Sequence, residues 1–387
     1  MRPEEFICPE AGRLVRTPEG AWAFVPAPLP PRIQYDPDLV LALSQADAAL
    51  SELSGLGRQL PNPHLLIAPY VRREAVLSSR IEGTRATLSD LYADEIADVG
   101  AARDDDTDAR EVRNYVIALE HGIQRLKRLP LSLRLVREIH GRLMAGVRGA
   151  RKQPGEFRRN QNFIGAPGST LQTATYVPPP PIPMAECLGA WERFLHDRSM
   201  PELIQVALLH DQFEAIHPFL DGNGRVGRLL ITLFLIERGR LSQPLLYLSA
   251  FIEAHRGDYY RHLQRTRTHC EWKPWLMYFL NGVRTMSAAG AAQARVLSDL
   301  REVYRARVAG ARNALALIDP LFENPFLDAK RAARLLEKSD PTARKAISAL
   351  VAAGIIRETS GREWGQRWVA EQLLRAIETP PEVTEAI

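Results

Sequence analysis

The stretch His217-Pro218-Phe219-Leu220-Asp221-Gly222-Asn223-Gly224-Arg225-Val226-Gly227-Arg228 constrains this chain more than any other, because apolar runs of helical period close on it from both sides. Upstream, Leu203, Val206, Ala207, His210 and Phe213 recur at helical spacing, and Ile204, Leu208 and Leu209 widen the apolar face to that of a mostly buried helix. Pro218 disfavours helical geometry at the residue before it, so this helix is expected to end near His217. Downstream, Val226, Leu229, Leu230, Leu233 and Phe234 repeat at i, i+3, i+4, i+7 and i+8, which turns a second helix toward the core. Arg225 and Arg228 fall off that stripe.

Between the helices, the glycines of Asp221-Gly222-Asn223-Gly224 let backbone come close to a ligand, and the amides of the turn meet the positive end of the second helix. An anion seat is built in this way. A triphosphate would rest on the amides of Gly222, Asn223 and Gly224, with Arg225 and Arg228 on its outer oxygens and Asp221 holding a magnesium ion. His217 beside it could take a proton from an incoming hydroxyl. Taken singly, a histidine before proline is more often a cap or core residue, and two arginines on a helix more often face solvent. A plain helical hairpin does not need Gly-Asn-Gly, an acid and two arginines together.

The string resembles, at every defining position, the signature of Fic proteins, His-x-Phe-x-(Asp/Glu)-Gly-Asn-Gly-Arg-x-x-Arg. The resemblance implies a mainly α fold, with a Fic helical core and a β-hairpin flap. It also implies transfer of AMP from ATP to a Tyr, Thr or Ser hydroxyl of a target protein and of the enzyme itself, with pyrophosphate leaving. His217 would be the general base and Asp221 the Mg2+ ligand. Asn223 and the flanking Gly222 and Gly224 would form the anion hole, with Gly227 also on the ATP side. Arg225 would clamp a phosphate, Arg228 would meet the γ-phosphate and Phe219 would anchor the loop.

Three further stretches extend the resemblance to residues of about 35 to 285. Ser78 and Glu82 stand i, i+4 on a helical face, with Gly83 placed to end the helix. A serine and a glutamate so placed are usually solvated, but they match the (Ser/Thr)-x-x-x-Glu-(Gly/Asn) inhibitory helix of Fic proteins. A carboxylate on Arg228 would occupy the fork that the γ-phosphate needs and misalign the α-phosphate, so low basal activity is expected. Asn162-Phe163-Ile164-Gly165 and Ala174-Thr175-Tyr176-Val177, stopped by prolines from Pro178, read as a β-hairpin whose edge could pair with an extended target. It resembles the Fic flap, with Phe163, Ile164 and Gly165 on it. Tyr259 and Tyr260 resemble a pair that lies against the adenine. His140 reads as structural.

Residues 1 to about 35 read as irregular with short strand-like pieces, and Asp36-Pro37-Asp38 opens a helix carrying Leu39, Leu43, Ala46, Leu50 and Leu53 on one face. Residues 100 to 108 are an acidic link. From Val296 a charged, Ala/Arg-rich helix reads as a connector, punctuated from Pro320 to Pro325. Two helices, 328–336 and 342–353, and a β-ribbon with Arg357, Arg362 and Arg367 near it then suggest a winged helix-turn-helix. Arg344 and Lys345 on its second helix leave DNA open as a partner. The net charge of +4 demands no nucleic acid and favours protein docking or dimerisation, so a homodimer is also open. Three parts follow: 1–100 with the inhibitory helix, 101–290 as catalytic core, 291–387 as connector and winged helix.

The cysteines at 8, 187 and 270 are far apart and unpaired by spacing, which suits a reducing cytosol, and no run approaches a membrane span. A soluble, cytoplasmic enzyme without a membrane partner is expected. A DNA-binding regulator whose Fic core senses nucleotide is the contrasting reading. Transfer of a different nucleotide, or removal of AMP, would use the same residues.

Overall fold

The computed structural model describes residues 1–59, 64–96, 107–147, 149, 152–361 and 365–379. Residues 100–106 of the acidic link, and Arg362 of the ribbon, lie outside the described residues. The chain opens with β1 (Gly12–Arg16) and β2 (Trp22–Pro26), followed by α1 (Pro37–Gln59), α2 (His64–Ile81), α3 (Leu88–Glu95), α4 (Thr107–Leu126) and α5 (Leu133–Leu143). Next come α6 (Pro181–Leu195), α7 (Glu202–Ile216), α8 (Asn223–Glu237), α9 (Ser249–Ala254), α10 (Arg256–His269), α11 (Trp272–Arg307) and α12 (Arg312–Glu323). The C-terminal part holds β3 (Phe326–Asp328), α13 (Ala329–Leu336), α14 (Asp340–Ala352), β4 (Arg357–Glu358), β5 (Arg367–Val369) and α15 (Glu371–Glu378). The fold is mainly α, as the sequence implies.

Local chemistry sets several boundaries. Asp36 Oδ1 accepts the Leu39 N–H at 3.0 Å and Pro37 sits at the first position of α1, where its missing donor costs nothing. Thr87 and Asp90 form a reciprocal capping box on α3, and Ser132 and Asp328 cap α5 and α13. Along α1, Leu39, Ala46, Leu50 and Leu53 are fully buried, and the helix packs on α11.

The α7–α8 hairpin forms the centre. Every residue of α7 from Leu203 to Ile216 is buried, and so are Val226, Leu229, Leu233 and Phe234 of α8. Indole N–H groups reach α7 from two sides: Trp191 of α6 donates to the Leu209 carbonyl at 2.9 Å and Trp275 of α11 to that of Ala207 at 3.1 Å. Burying each large apolar side chain is worth about 1.5–3 kcal/mol, so burial anchors this hairpin firmly.

Three expectations change. The connector expected from Val296 is the second half of one helix, α11, which begins at Trp272, because Pro274 falls in its first turn and no later residue breaks the pattern. Pro320 lies inside α12 instead of ending it. Cys8 and Cys270 are joined in a disulfide, with Cα atoms 5.9 Å apart. Their 262-residue separation hides the pairing from sequence, and the case for a reducing compartment loses its support. The link ties the N-terminal segment to the end of α10, where the Ile7 and Cys8 amides also bond the Thr268 carbonyl at 3.0 and 3.2 Å. Among the described residues no helix is long and apolar enough to cross a membrane.

The C-terminal strands form an antiparallel sheet of order β3-β5-β4, next to the α13–α14 pair. It is not an isolated appendage. Gln293 Nε2 of α11 donates to the Ala376 and Ile377 carbonyls of α15 at 2.8 and 2.9 Å, and Asn324 Nδ2 donates to the Tyr92 carbonyl at 3.1 Å. Thiol titration of the denatured protein should find one reactive thiol, Cys187, before reduction and three afterwards. Three before reduction would refute the Cys8–Cys270 link.

Candidate active site

Helix α7 stops where expected. His217 follows its last residue in the left-handed region, at φ 50° and ψ 60°, with its N–H on the Phe213 carbonyl at 2.9 Å. That conformation costs a β-carbon-bearing residue roughly 1–2 kcal/mol, so the surroundings must impose it. Arg158 does much of this. Its buried guanidinium donates through Nε to the His217 carbonyl at 3.0 Å and through Nη2 to the carbonyls of Pro179 and Ile216, while its backbone N–H bonds the Pro218 carbonyl at 2.9 Å. Burial lowers its pKa to about 10, and among the described residues no carboxylate is bonded to it. Asn162 Nδ2 adds a bond to the Phe219 carbonyl at 2.9 Å.

Phe219 anchors the loop from inside. It is fully buried, and its ring stacks on His140 with centroids 3.7 Å apart and 6° between planes. His140 Nδ1 accepts the Gly155 N–H at 2.8 Å, so Nε2 carries the proton and donates to the Asp221 carbonyl at 3.0 Å. Burial lowers the His140 pKa to about 4, which keeps it neutral in that role. The residue is structural, as the sequence suggests. Asn223 closes the loop on itself: its Oδ1 accepts the Phe219 N–H and its Nδ2 donates to the Phe219 carbonyl, both at 2.8 Å.

Gly222 precedes α8 at φ 77°, a region open to glycine, and no side chain caps the helix. The amides of its first turn therefore have no intrahelical partner and face the site together with the helix dipole. Glu82 lies over this turn. Its Oε1 accepts from Arg228 Nη2 at 2.8 Å, and a Cβ on Gly224 would come within 2.2 Å of that oxygen. Arg228 also donates Nε to Ser78 Oγ at 2.9 Å and Nη2 to the Ser78 carbonyl at 2.8 Å. Burial opposes the charge on Arg228, yet Glu82 holds its pKa above the ordinary value, with help from Tyr259 and Glu214. Ser78 is fully buried on α2, which ends at Ile81. Gly83, at φ 95°, turns the chain away after Glu82.

The remaining expected residues divide. Asp221 is partly exposed, with Oδ2 3.0 Å from Lys152 Nζ and Oδ1 on the Gly222 N–H at 2.7 Å. Arg225 turns inward, where Nη1 meets Glu111 Oε2 at 3.3 Å and Nη2 faces Met144 Sδ at 3.5 Å. Gly227 leaves space for Glu214, whose Oε1 would be 2.6 Å from an added Cβ. Tyr259 is buried with its hydroxyl 2.8 Å from His210 Nε2, whereas Tyr260 is 46% exposed. The expected hairpin is reduced to one antiparallel bridge, Ile164 to Tyr176, because prolines and turns interrupt both sides of it. Phe163, Ile164 and Gly165 are exposed beside it, and the Tyr176 hydroxyl is fixed to the Ala215 carbonyl at 2.7 Å.

His217 sits at the edge of this arrangement. Burial first, then Arg158 and Arg267, lowers its pKa to about 4, so the imidazole is neutral near pH 7 and able to accept a proton. Among the described residues its Nδ1 is buried without a hydrogen-bond partner. Sequence reasoning assigned no role to Arg158, Asn162, Lys152 or Glu214. Arg158 stands beside Arg159 in an irregular stretch, and nothing in sequence singles it out or aims it at residues 216–218.

Two family regions match this chain. Residues 40–124 match the Fic/DOC family N-terminal region, and residues 130–235 match the Fic/DOC family itself. The chain carries a Fic/DOC domain preceded by the family's N-terminal region. The protein adenylyltransferase Fic of Drosophila ananassae is 29% identical over 156 residues, which is 40% of this chain and 28% of that protein. The same enzyme of Drosophila virilis is also 29% identical over 156 residues, with the same shares. This Fic chain thus spans under a third of the length of those relatives. A Fic family protein from Desulfovibrio desulfuricans G20 has the same fold, with a TM-score of 0.59 and 21% identity over 88% of this chain and 98% of that one. A Fic domain containing signaling protein from Bacteroides thetaiotaomicron aligns over 65% of this chain and 95% of its own, with a TM-score of 0.51 and 18% identity.

Arg158→Ala should lower thermal stability by about 2–4 kcal/mol, since several carbonyls lose a charged donor. It should also reduce nucleotide transfer in a Glu82→Gly background by releasing His217. Differential scanning fluorimetry and a label-transfer assay check both effects, and unchanged values would show that the loop holds itself.

Proposed function

We propose that this Fic protein is a self-restrained adenylyltransferase that moves AMP from ATP to a Tyr, Thr or Ser hydroxyl of a target protein and of itself. The observation that carries the reading is the Glu82–Arg228 contact across the uncapped start of α8. A triphosphate would rest on the first-turn amides, its γ-phosphate taking from Glu82 the guanidinium that Ser78 already aims. The target hydroxyl would then attack the α-phosphorus while His217 Nε2 accepts its proton. The bond from the α-phosphorus to the bridging oxygen breaks and pyrophosphate leaves. Exposed Phe163, Ile164 and Gly165 would hold an extended target segment by backbone pairing.

Asp221 fits a Mg2+ ion that arrives with the nucleotide. It is a single, partly exposed carboxylate already in contact with a cation, and among the described residues no group of three or more His, Cys, Asp or Glu forms a resident metal site. Bound there, the ion would neutralise phosphate charge. Arg225 acts on this reading through its pair with Glu111, holding the floor of the loop, and only Arg228 is aimed at the outer phosphates. Tyr260 is the exposed member of the tyrosine pair and the one free to lie against the adenine.

Residues 1–100 would then restrain, 101–290 catalyse and 291–387 dock partners, the last as a winged helix. Arg344 and Lys345 of α14 are exposed, but Arg357 is paired with Glu371, so the positive face offered to DNA is small.

Label from α-labelled ATP should pass to the Glu82→Gly form roughly tenfold or more faster than to the unaltered protein, because removing the carboxylate frees the seat that phosphate must occupy. It should be absent from Glu82→Gly/His217→Ala, and γ-labelled ATP should label none of them. Equal rates for the unaltered and Glu82→Gly forms would remove the restraint from the account. Transfer of the γ-label would replace adenylylation with phosphorylation.

A further inference from the structure

Among the buried ionisable groups that the steps above do not use, Glu214 stands apart. It lies on α7 three residues before His217, is 8% exposed, and among the described residues its Oε1 has no hydrogen-bond partner. Gly227, the residue before Arg228, is where α8 makes room for that oxygen, since a Cβ there would lie 2.6 Å away. His210, one turn earlier on α7, meets the same glycine: its Nδ1 would be 3.3 Å from the added Cβ and is also unpartnered. A carboxylate held there without hydrogen bonds is costly when charged unless a cation compensates. The nearby cations are Arg228, which Glu82 already neutralises, and Arg267.

We propose that Glu214 is a second, proton-linked counter-charge to Arg228, ionised when the guanidinium is vacated and protonated when Glu82 or a phosphate occupies it. The proposal rests on the reading that a phosphate takes Glu82's place. The surroundings have the right signs. Arg228 from α8 and Arg267 from α10 favour the charged form, while Glu82 beyond α2 and Asp211 of α7 oppose it. His210 is held neutral by burial, and the buried Tyr259 hydroxyl is kept protonated. Burial, the largest influence, and these charges place the Glu214 pKa at about 7, where a change in the counter-charge beside Arg228 alters its protonation.

The balance is simple. In a protein whose Glu82 has been removed, Glu214 gives up its proton to the solvent and faces the free guanidinium. When the γ-phosphate arrives, it takes a proton back. No covalent bond changes. Since the neutral form accompanies bound phosphate, nucleotide affinity is higher below the Glu214 pKa and weakens as pH rises through it.

Calorimetric titration of the Glu82→Gly form with a non-hydrolysable ATP analogue, at about pH 7 in two buffers of different ionisation heat, counts the protons taken up. The Glu82→Gly/Glu214→Gln form should take up roughly half a proton less, because the ionisation of the nucleotide itself is common to both and cancels. Its affinity should also vary less with pH. Should the glutamine form fail to fold, Glu214→Met removes the same titrating group at similar volume. Equal proton counts with and without Glu214 would overturn the proposal and leave the phosphate seat intact. Absence of binding by any form would overturn both.

Discussion

The first turn of α8 presents backbone N–H groups that no side chain caps, and the rest of the site exists to hold that turn open. Gly222 supplies the left-handed entry, and Asn223 fixes the preceding loop through two bonds to Phe219. Phe219 is stacked on His140, and His140 holds the carbonyl of Asp221. From outside, Arg158 and Asn162 gather the carbonyls of residues 216 to 219. Buried polar groups of this kind are costly unless every partner is present, so the loop has little freedom to relax. A helix start held this way concentrates positive potential at one spot, and whatever carboxylate or phosphate is available will take it.

Helix α2 is the element that supplies the carboxylate, and its register is set along its length. Tyr70, Glu74, Ser78 and Glu82 follow at intervals of four residues, and each is tied to a different part of the fold. Tyr70 donates to the Gly290 carbonyl of α11 at 2.7 Å. Glu74 accepts from the Ser249 amide at 3.2 Å and from the Ser249 hydroxyl, and Tyr115 of α4 also reaches it. Ser78 and Glu82 both hold Arg228. Helix α2 also packs against α12 and α15, so the C-terminal part borders the helix that leads into the site. Glu82 itself stands one residue past the helical bonds. It is therefore the member of the series with least to lose on moving.

Much of this was legible in sequence because it depends on local rules. Pro218 ends α7, glycines mark the turn, and the apolar periods of both flanking helices give their burial directly. The Ser78–Glu82 spacing shows only a shared helical face, and its meeting with Arg228 was expected from the resemblance to Fic proteins alone. What sequence could not show were encounters set by topology. Arg158 meets the His217 loop across 59 residues and Glu111 meets Arg225 across 114, with no periodic signal to announce either. The Cys8–Cys270 bond and the inward turn of Arg225 belong to the same class. The flap was overread because alternating residues between prolines suggested two strands, whereas turn chemistry leaves one bridge. The unbroken α11 was underread because a change in composition at Val296 looked like a boundary, although a helix can pass from a buried to an exposed setting without a break.

The central claim is that Glu82 and a nucleotide phosphate compete for one guanidinium. A crystal structure of the Glu82→Gly protein with a non-hydrolysable ATP analogue tests it most directly. The account predicts a γ-phosphate oxygen within hydrogen-bond distance of Arg228, phosphates on the amides at the start of α8, and the α-phosphate facing His217. A nucleotide bound elsewhere, with Arg228 turned from it and the α8 amides unengaged, would contradict the account.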